Sequence, residues 1–365
     1  MSKFSRRDFL RMAALGMSSV ALDRFLAACS PQSTPEVAPA IPSSTAPTGP
    51  PALATPTTAA PSIVPTLTNQ PVAAVSTPTN PPATATVAQP ANTESTYLAV
   101  ARGETPDPAE LTRRAIAAVG GIERYVKQGA DVIVKPNICN AYHGPEYAST
   151  TNPEVVAAIV ALCLGAGASR VRVMDYPFGG TAQNAYNTSG IAQAVEAAGG
   201  QMELMNSLKY QEVEIPNALA LNKTEIYADI LNADTVINVP IAKHHSSARL
   251  TLGMKNLMGV VLDRGTMHAR GLLRSIADLS TVVRPQLTVI DAIRILVANG
   301  PTGGNLNDVK QMDTIIASAD VVAADAYAAT LFGMTGADIE YIALADQLDL
   351  GTMDLTSINI EEINA

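Results

Sequence analysis

Short β-branched runs alternate along much of the chain with alanine-rich segments whose apolar positions recur at helical spacing. DVIVKPN (131–137) predicts a strand, and Asn152-Pro153 opens a helix through PEVVAAIVALCLGAG (153–167), with Pro in the first turn and glycines at its end. RVRVMDYP (170–177) predicts the next strand and SGIAQAVEAAGG (189–200) a helix. EIYADILNA (225–233) predicts a short helix and DTVINVPIAK (234–243) a strand. LLRSIADLSTVV (272–283) predicts a helix, and QLTVIDAI (286–293) and MDTIIAS (312–318) predict strands. DVVAADAYAATLFG (320–333) predicts a helix capped by Asp320. Continuously apolar strands alternating with helices predict an α/β fold: a mainly parallel sheet with helices on both faces, with room for a small subdomain.

Polar residues punctuate several of these strands at their C-terminal ends. They are Lys135-Pro136-Asn137, Asp175, Lys243-His244-His245 and Asp291. In an open parallel sheet these ends share one edge, where ligands bind at a topological switch point. Alternation along an extended segment puts Lys135 and Asn137 on one face, and likewise Lys243 and His245, with His244 opposite. Adjacent histidines on opposite faces make a poor metal pair, and neighbouring lysines repel a cation. Cys139 and His143 have ligand-like spacing without a partner motif, so no metal site is assigned.

TLGMKNLMG (251–259) places Lys255 and Asn256 between two glycines, close to the Lys243–His245 strand end. The bland alternative is a short amphipathic helix with Leu252, Met254, Leu257 and Met258 inward and Lys255 outside. The loop ANGPTGGN (298–305) is a candidate backbone nest for an anion or an ordinary loop. No Walker lysine, GxGxxG helix start, GxSxG elbow or HExxH occurs.

The first 96 residues have a different character. Ser5-Arg6-Arg7-Asp8-Phe9-Leu10 followed by an apolar stretch too short to span a bilayer is similar to a twin-arginine export signal (1–29). Leu26-Ala27-Ala28-Cys29 resembles a lipobox, which implies lipidation at Cys29. Asp23 and Arg24 interrupt the apolar region, so plain cleavage and an uncleaved anchor are the alternatives. Residues 30–96 form a Pro/Thr/Ala-rich linker without Lys or Arg, a composition that favours disorder. Such a spacer reaches on the order of 50 to 200 Å. These features predict an exported protein anchored at the outer face of the cell membrane or in the cell envelope, with a globular domain over 97–365.

Of the 24 basic and 33 acidic residues, five and four respectively precede Tyr97, so the domain is acidic. With no basic block, nucleic acid is excluded as a partner. Only Cys139 and Cys163 lie in the domain, which gives no disulfide framework. Cys163 reads as a core residue, and four-cysteine iron–sulfur spacing is absent.

The segments VIVKPN, TTNPEVVAAIV, SGI, NADTVINVPIAKHHSSARLTLGMKNLMG, QLTVIDAI, NGPTGG and ASADVVAADAYAATLFG together resemble the bacterial and archaeal domain of unknown function 362, over about residues 130–335. The most specific mark is Lys243-x-His245 followed by Gly253-x-Lys255-Asn256. The resemblance implies an α/β fold and little chemistry. Some members carry a ferredoxin-like segment and are labelled iron–sulfur proteins, but this chain lacks those cysteines.

Three functions fit. In the first, the cleft takes a small anionic molecule as an enzyme. Lys135, Lys243 and Lys255 hold a carboxylate or phosphate, Asn137 and Asn256 add hydrogen bonds, His245 acts as acid or base, and Asp175 or Asp291 orients it. The second is a non-catalytic solute-binding lipoprotein, and the third a redox or metal protein. The cofactor is not readable from the sequence.

Overall fold

Val132 and Val134 face one side of a sheet and Ile133 the other, and all three are fully buried. Such a strand is covered on both faces, as its unbroken apolar run requires. The computed structural model describes residues 97–103 and 107–364. The stretches expected to be an export signal and a linker, and Cys29 between them, lie outside the described residues.

The strands are β1 (Tyr97–Arg102), β2 (Asp131–Pro136), β3 (Arg170–Val173), β4 (Gln201–Met202), β5 (Tyr210–Glu214) and β6 (Lys223–Tyr227). They continue as β7 (Thr235–Val239), β8 (Ile241–His245), β9 (Arg249–Thr251), β10 (Leu287–Leu296), β11 (Val309–Ser318) and β12 (Asn359–Asn364). The helices are α1 (Pro108–Ala118), α2 (Pro153–Gly165), α3 (Ala182–Thr188), α4 (Ile191–Ala197) and α5 (Ala228–Asn232). After them come α6 (Gly253–Asn256), α7 (Arg264–Val282), α8 (Val321–Thr330) and α9 (Glu340–Gln347).

The main sheet runs β12-β1-β11-β10-β7-β2-β3-β4, with β8 beside β10 and β9 beside β8. Its centre, β10-β7-β2-β3-β4, is parallel throughout. β11 runs antiparallel to both β10 and β1. One core joins α1, α2, α3 and α4 to a face of the sheet, and the second joins α6, α7, α8 and α9 to the other. The expected α/β fold with a mainly parallel, doubly covered sheet is therefore observed.

Differences from the sequence reading have local causes. Residues 225–233 do not form one helix: β6 pairs with β5 as a separate antiparallel ribbon, and only Ala228–Asn232 is helical. Pro240 splits the expected strand 234–243 into β7 and β8, because proline offers no N–H to the ladder. The helix predicted over 272–283 begins earlier, at Arg264, and is broken at Gly271, whose φ of 113° takes it out of helical geometry. That break separates a first stretch, which bears Arg264 and His268 and buries Met267, from a second, Leu272–Val282, that supplies most of the helix's core residues.

The chain order fixes where a ligand site belongs. From β2 the sheet grows outward through β3 to β4, then resumes on the other side of β2 with β7. The C-terminal ends of β2 and β7 thus flank a switch point, the crevice where open α/β sheets place ligands.

Candidate functional site

At that crevice lies a cavity of about 430 Å³, lined by residues that include Lys135, Asn137, Asp175, Lys243, His245, Lys255 and Asn256. Seven of the eight expected catalytic and ligand-binding residues therefore share one pocket, delivered by β2, the segment after β3, β8 and α6. Asp291 does not line it.

The base of the pocket is a chain of buried polar contacts. Lys135 Nζ donates to Asp175 Oδ1 at 2.7 Å and to Asn256 Oδ1 at 3.1 Å. Asp175 Oδ2 accepts from the Ile138 N–H at 2.6 Å. Asn137 Nδ2 donates to Asn256 Oδ1, and Asn137 Oδ1 accepts from Lys243 Nζ at 3.0 Å. Asn256 Nδ2 donates to Asn238 Oδ1 at 2.8 Å, which ties α6 to β7. Burial opposes the charge on Lys135 and Asp175 supports it, so its pKa lies below the ordinary lysine value. Asn137 and Asn256, expected to contact a ligand, line the cavity and also orient the two lysines between them.

Lys243 meets neutral acceptors. Its ammonium donates to Asn137 Oδ1, to the Ser149 carbonyl at 2.5 Å and to the Pro301 carbonyl at 3.1 Å, with Cys139 Sγ at 3.2 Å. Asn140 Nδ2 also donates to Cys139 Sγ, at 3.0 Å. The loop 298–305, a candidate nest or an ordinary loop in the sequence, thus presents a carbonyl to a lysine here, the opposite polarity from an anion nest. Cys139, considered in the sequence only as a metal ligand, lines the cavity. Among the described residues no His, Cys, Asp and Glu cluster has metal-holding geometry.

Lys255 stands apart. It is 9% exposed, and among the described residues its ammonium meets only Met258 Sδ, at 3.3 Å. Burial, reinforced by Lys243 and Arg264, pulls its pKa down to about 7. The outward-facing lysine of an amphipathic helix is therefore not what forms. The glycines on either side explain its placement. A Cβ at Gly253 would come within 2.6 Å of Asp325 Oδ1. The Asp325 carboxylate accepts from the Gly253 and Met254 N–H groups, which seats α6 on α8. Gly259 packs on the Lys135–Asp175 pair, where a Cβ would lie 2.6 Å from Lys135 Nζ.

His245 is oriented from behind. Its Nδ1 accepts from the Ser247 and Ala248 N–H groups at 3.1 and 3.2 Å, which leaves Nε2 to carry the proton. Burial, Lys255 and Lys243 push its pKa down to about 3. The imidazole is a fixed neutral donor near pH 7, and neither aspartate orients it. His244 points the other way, accepting from the Gly300 N–H, as alternation requires. Asp291 sits midway along β10, where its carboxylate accepts from the Asn152 and Ile293 N–H groups and anchors the start of α2. Its burial raises its pKa to about 6.

Arg264, His268 and Thr251 also line the cavity, and the sequence does not single them out. Arg264 lies over the Tyr176 ring at 4.8 Å and donates to the Tyr176 and Pro177 carbonyls. Thr251 Oγ1 is buried without a hydrogen-bond partner. The spacing of Arg264 and His268, four apart at a helix start, is a signal that puts both on one face. The lining thus holds Lys135, Lys243, Lys255 and Arg264 against one carboxylate, Asp175, which is already paired. In a second, smaller depression Arg170, Arg172 and Lys209 are balanced by Asp131, Glu203 and Asp229.

A thylakoid-associated protein of Synechocystis sp. is 28% identical over 254 residues, covering 65% of this chain and 74% of its own. The solved lactate racemase apoprotein from Thermoanaerobacterium thermosaccharolyticum is 12% identical with a TM-score of 0.40, over 61% of this chain. That match spans about half, 54%, of the racemase chain. The family model described as Domain of unknown function (DUF362) matches residues 132–330, from β2 to the end of α8 and therefore across every strand that reaches the cavity. The chain belongs to the DUF362 family.

Proposed function

We propose that the cavity binds a small anionic molecule, a carboxylate or phosphate, and acts on it as an enzyme. The carrying observation is Lys255: a buried ammonium without an oxygen partner among the described residues, facing the same space as Lys243 and Arg264. A cation so placed is costly unless a counter-charge arrives. An incoming anion would meet Lys255, Arg264, the Nε2–H of His245 and the Thr251 hydroxyl. Lys243 adds positive potential, since its own donors are engaged. Asp175, Asn137 and Asn256 keep the lysines in place.

The test is a thermal-shift panel of small carboxylates and phosphates on the domain and on Lys255→Met. Stabilisation of the parent by some members, lost in the variant, supports the reading. Equal responses in both proteins would end it. Recovery of the ligand chemically unchanged after prolonged incubation would favour a non-catalytic solute-binding role.

The same proposal places the domain outside the cytoplasm, exported through the twin-arginine route and tethered through Cys29 by the linker. The sequence features of residues 1–96 support this, and the thylakoid-associated relative accords with a protein held near a membrane. Radiolabelled palmitate incorporation that disappears in Cys29→Ala is the expected result.

A further inference from the structure

Resting on the anionic-ligand reading, we infer that Lys255 is an imine-forming amine and that the substrate is a carboxylate bearing a ketone or aldehyde carbonyl. Three features of the cavity lead there. First, Lys255 is not built as a permanent anion clamp. A lysine meant to stay charged is surrounded by oxygens, as Lys243 is by Asn137 Oδ1 and the carbonyls of Ser149 and Pro301. Lys255 instead lies against Met258 Sδ, which accepts weakly. Burial together with two neighbouring cations lowers a lysine's pKa, and at about 7 a substantial share of Lys255 is the free, nucleophilic amine near neutral pH while the rest is the ammonium that attracts the anion.

Second, the groups an imine needs around it are present. The Arg264 guanidinium lines the cavity where a carboxylate would sit, and its bonds to the Tyr176 and Pro177 carbonyls hold it in position. His245 has Nδ1 committed to two backbone donors, so its Nε2–H is available to hydrogen-bond a carbonyl oxygen. Third, Thr251 Oγ1 is a buried hydroxyl lining the same space without a partner, a polar atom awaiting a ligand.

The step balances without a redox partner. The Lys255 nitrogen lone pair adds to the carbonyl carbon, and the C=O π bond becomes an alkoxide that is protonated to a carbinolamine. The nitrogen gives up its two protons in the course of the reaction, the C–O bond breaks and one water leaves. A C=N bond joins Lys255 to the substrate.

The experiment uses the full chain with pyruvate and 2-oxoglutarate in the presence of sodium cyanoborohydride, and succinate as a carbonyl-free control. Peptide mapping by mass spectrometry locates any reduced adduct. The expected result is an adduct at Lys255 with either oxo acid, at a yield about tenfold or more above that of the exposed Lys127, and none in Lys255→Arg. Thermal shift of the parent protein with the same compounds separates the two claims. Stabilisation by the oxo acids and succinate without an adduct at Lys255 overturns the imine and leaves anion binding standing. No stabilisation and no adduct overturns both. An adduct spread evenly over surface lysines also overturns the imine. Because mapping is done on the parent protein, the result does not depend on the variant folding.

Discussion

Lys135 and Asp175 meet at 2.7 Å directly beneath Gly259, in a space that admits no side chain. Each is at most 3% exposed. The pair joins the end of β2 to the segment following β3 and forms the floor of the cavity, so the glycine and the ion pair stand or fall together.

Gly259→Ala is expected to destabilise the domain by about 2–4 kcal/mol, because the new methyl overlaps Asp175 Oδ1 and crowds Lys135 Nζ. The reason is space, since the backbone there is ordinary 3₁₀ geometry. Urea unfolding measures it, and a change within about 0.5 kcal/mol of the parent, the range of an ordinary surface substitution, would refute the close packing.

Removing one partner of the floor pair leaves the other buried and uncompensated. Lys135→Met and Asp175→Asn should each cost about 3–5 kcal/mol. The double variant should cost clearly less than their sum, by 1 kcal/mol or more on the order of coupled neighbours. A double-mutant cycle by chemical denaturation decides this, and additive losses would mean the two groups do not interact.

The pH dependence of stability should carry a signature of Lys255. Its folded pKa, about 7, lies below the ordinary 10.5. The unfolded chain therefore binds more protons between these values, and this residue makes the ligand-free domain gain stability as pH rises from about 7 toward 10.5. In Lys255→Met that increment should vanish, and the variant should be the more stable protein at pH 6. Unfolding curves from pH 6 to 10 are the measurement, and parallel profiles for the two proteins would count against a desolvated amine.

His245 should resist protonation. Nitrogen-detected NMR is expected to show Nδ1 as the acceptor and Nε2 as the protonated nitrogen throughout pH 5–8, since its pKa is pushed down to about 3. Its depressed value also means that it contributes stability above about pH 6.5 that is lost as pH falls toward 3. A titration midpoint near 6.5 would show that the backbone bonds and neighbouring lysines do not act on it.

Much of this arrangement is legible in the residues themselves. β2, β7 and β10 are buried on both faces, and that leaves unbroken apolar runs. Period-two alternation paired Lys135 with Asn137 and Lys243 with His245. Strand direction is not written in composition, so the antiparallel β11 could not be told from a parallel strand. Asp291 was misplaced because QLTVIDAI looks finished near its aspartate, whereas β10 continues to Leu296 and buries that carboxylate in its middle. The role of Gly259 is a matter of what packs on it from distant strands, and no local pattern records that. Arg264 and His268 do not stand out because the stretch around them lacks an apolar period, Met267 being its one core residue before the helix breaks at Gly271.

The most direct test is titration calorimetry of the strongest anion found in the panel, at pH 6 and pH 9, with the parent and Lys255→Met. The expected result is an affinity that falls by about tenfold or more at the higher pH, as Lys255 loses its proton, and a large loss in the variant at pH 6. Equal affinity in the two proteins at both pH values would contradict the claim that the cavity at the β2–β7 switch point is an anion site built around Lys255.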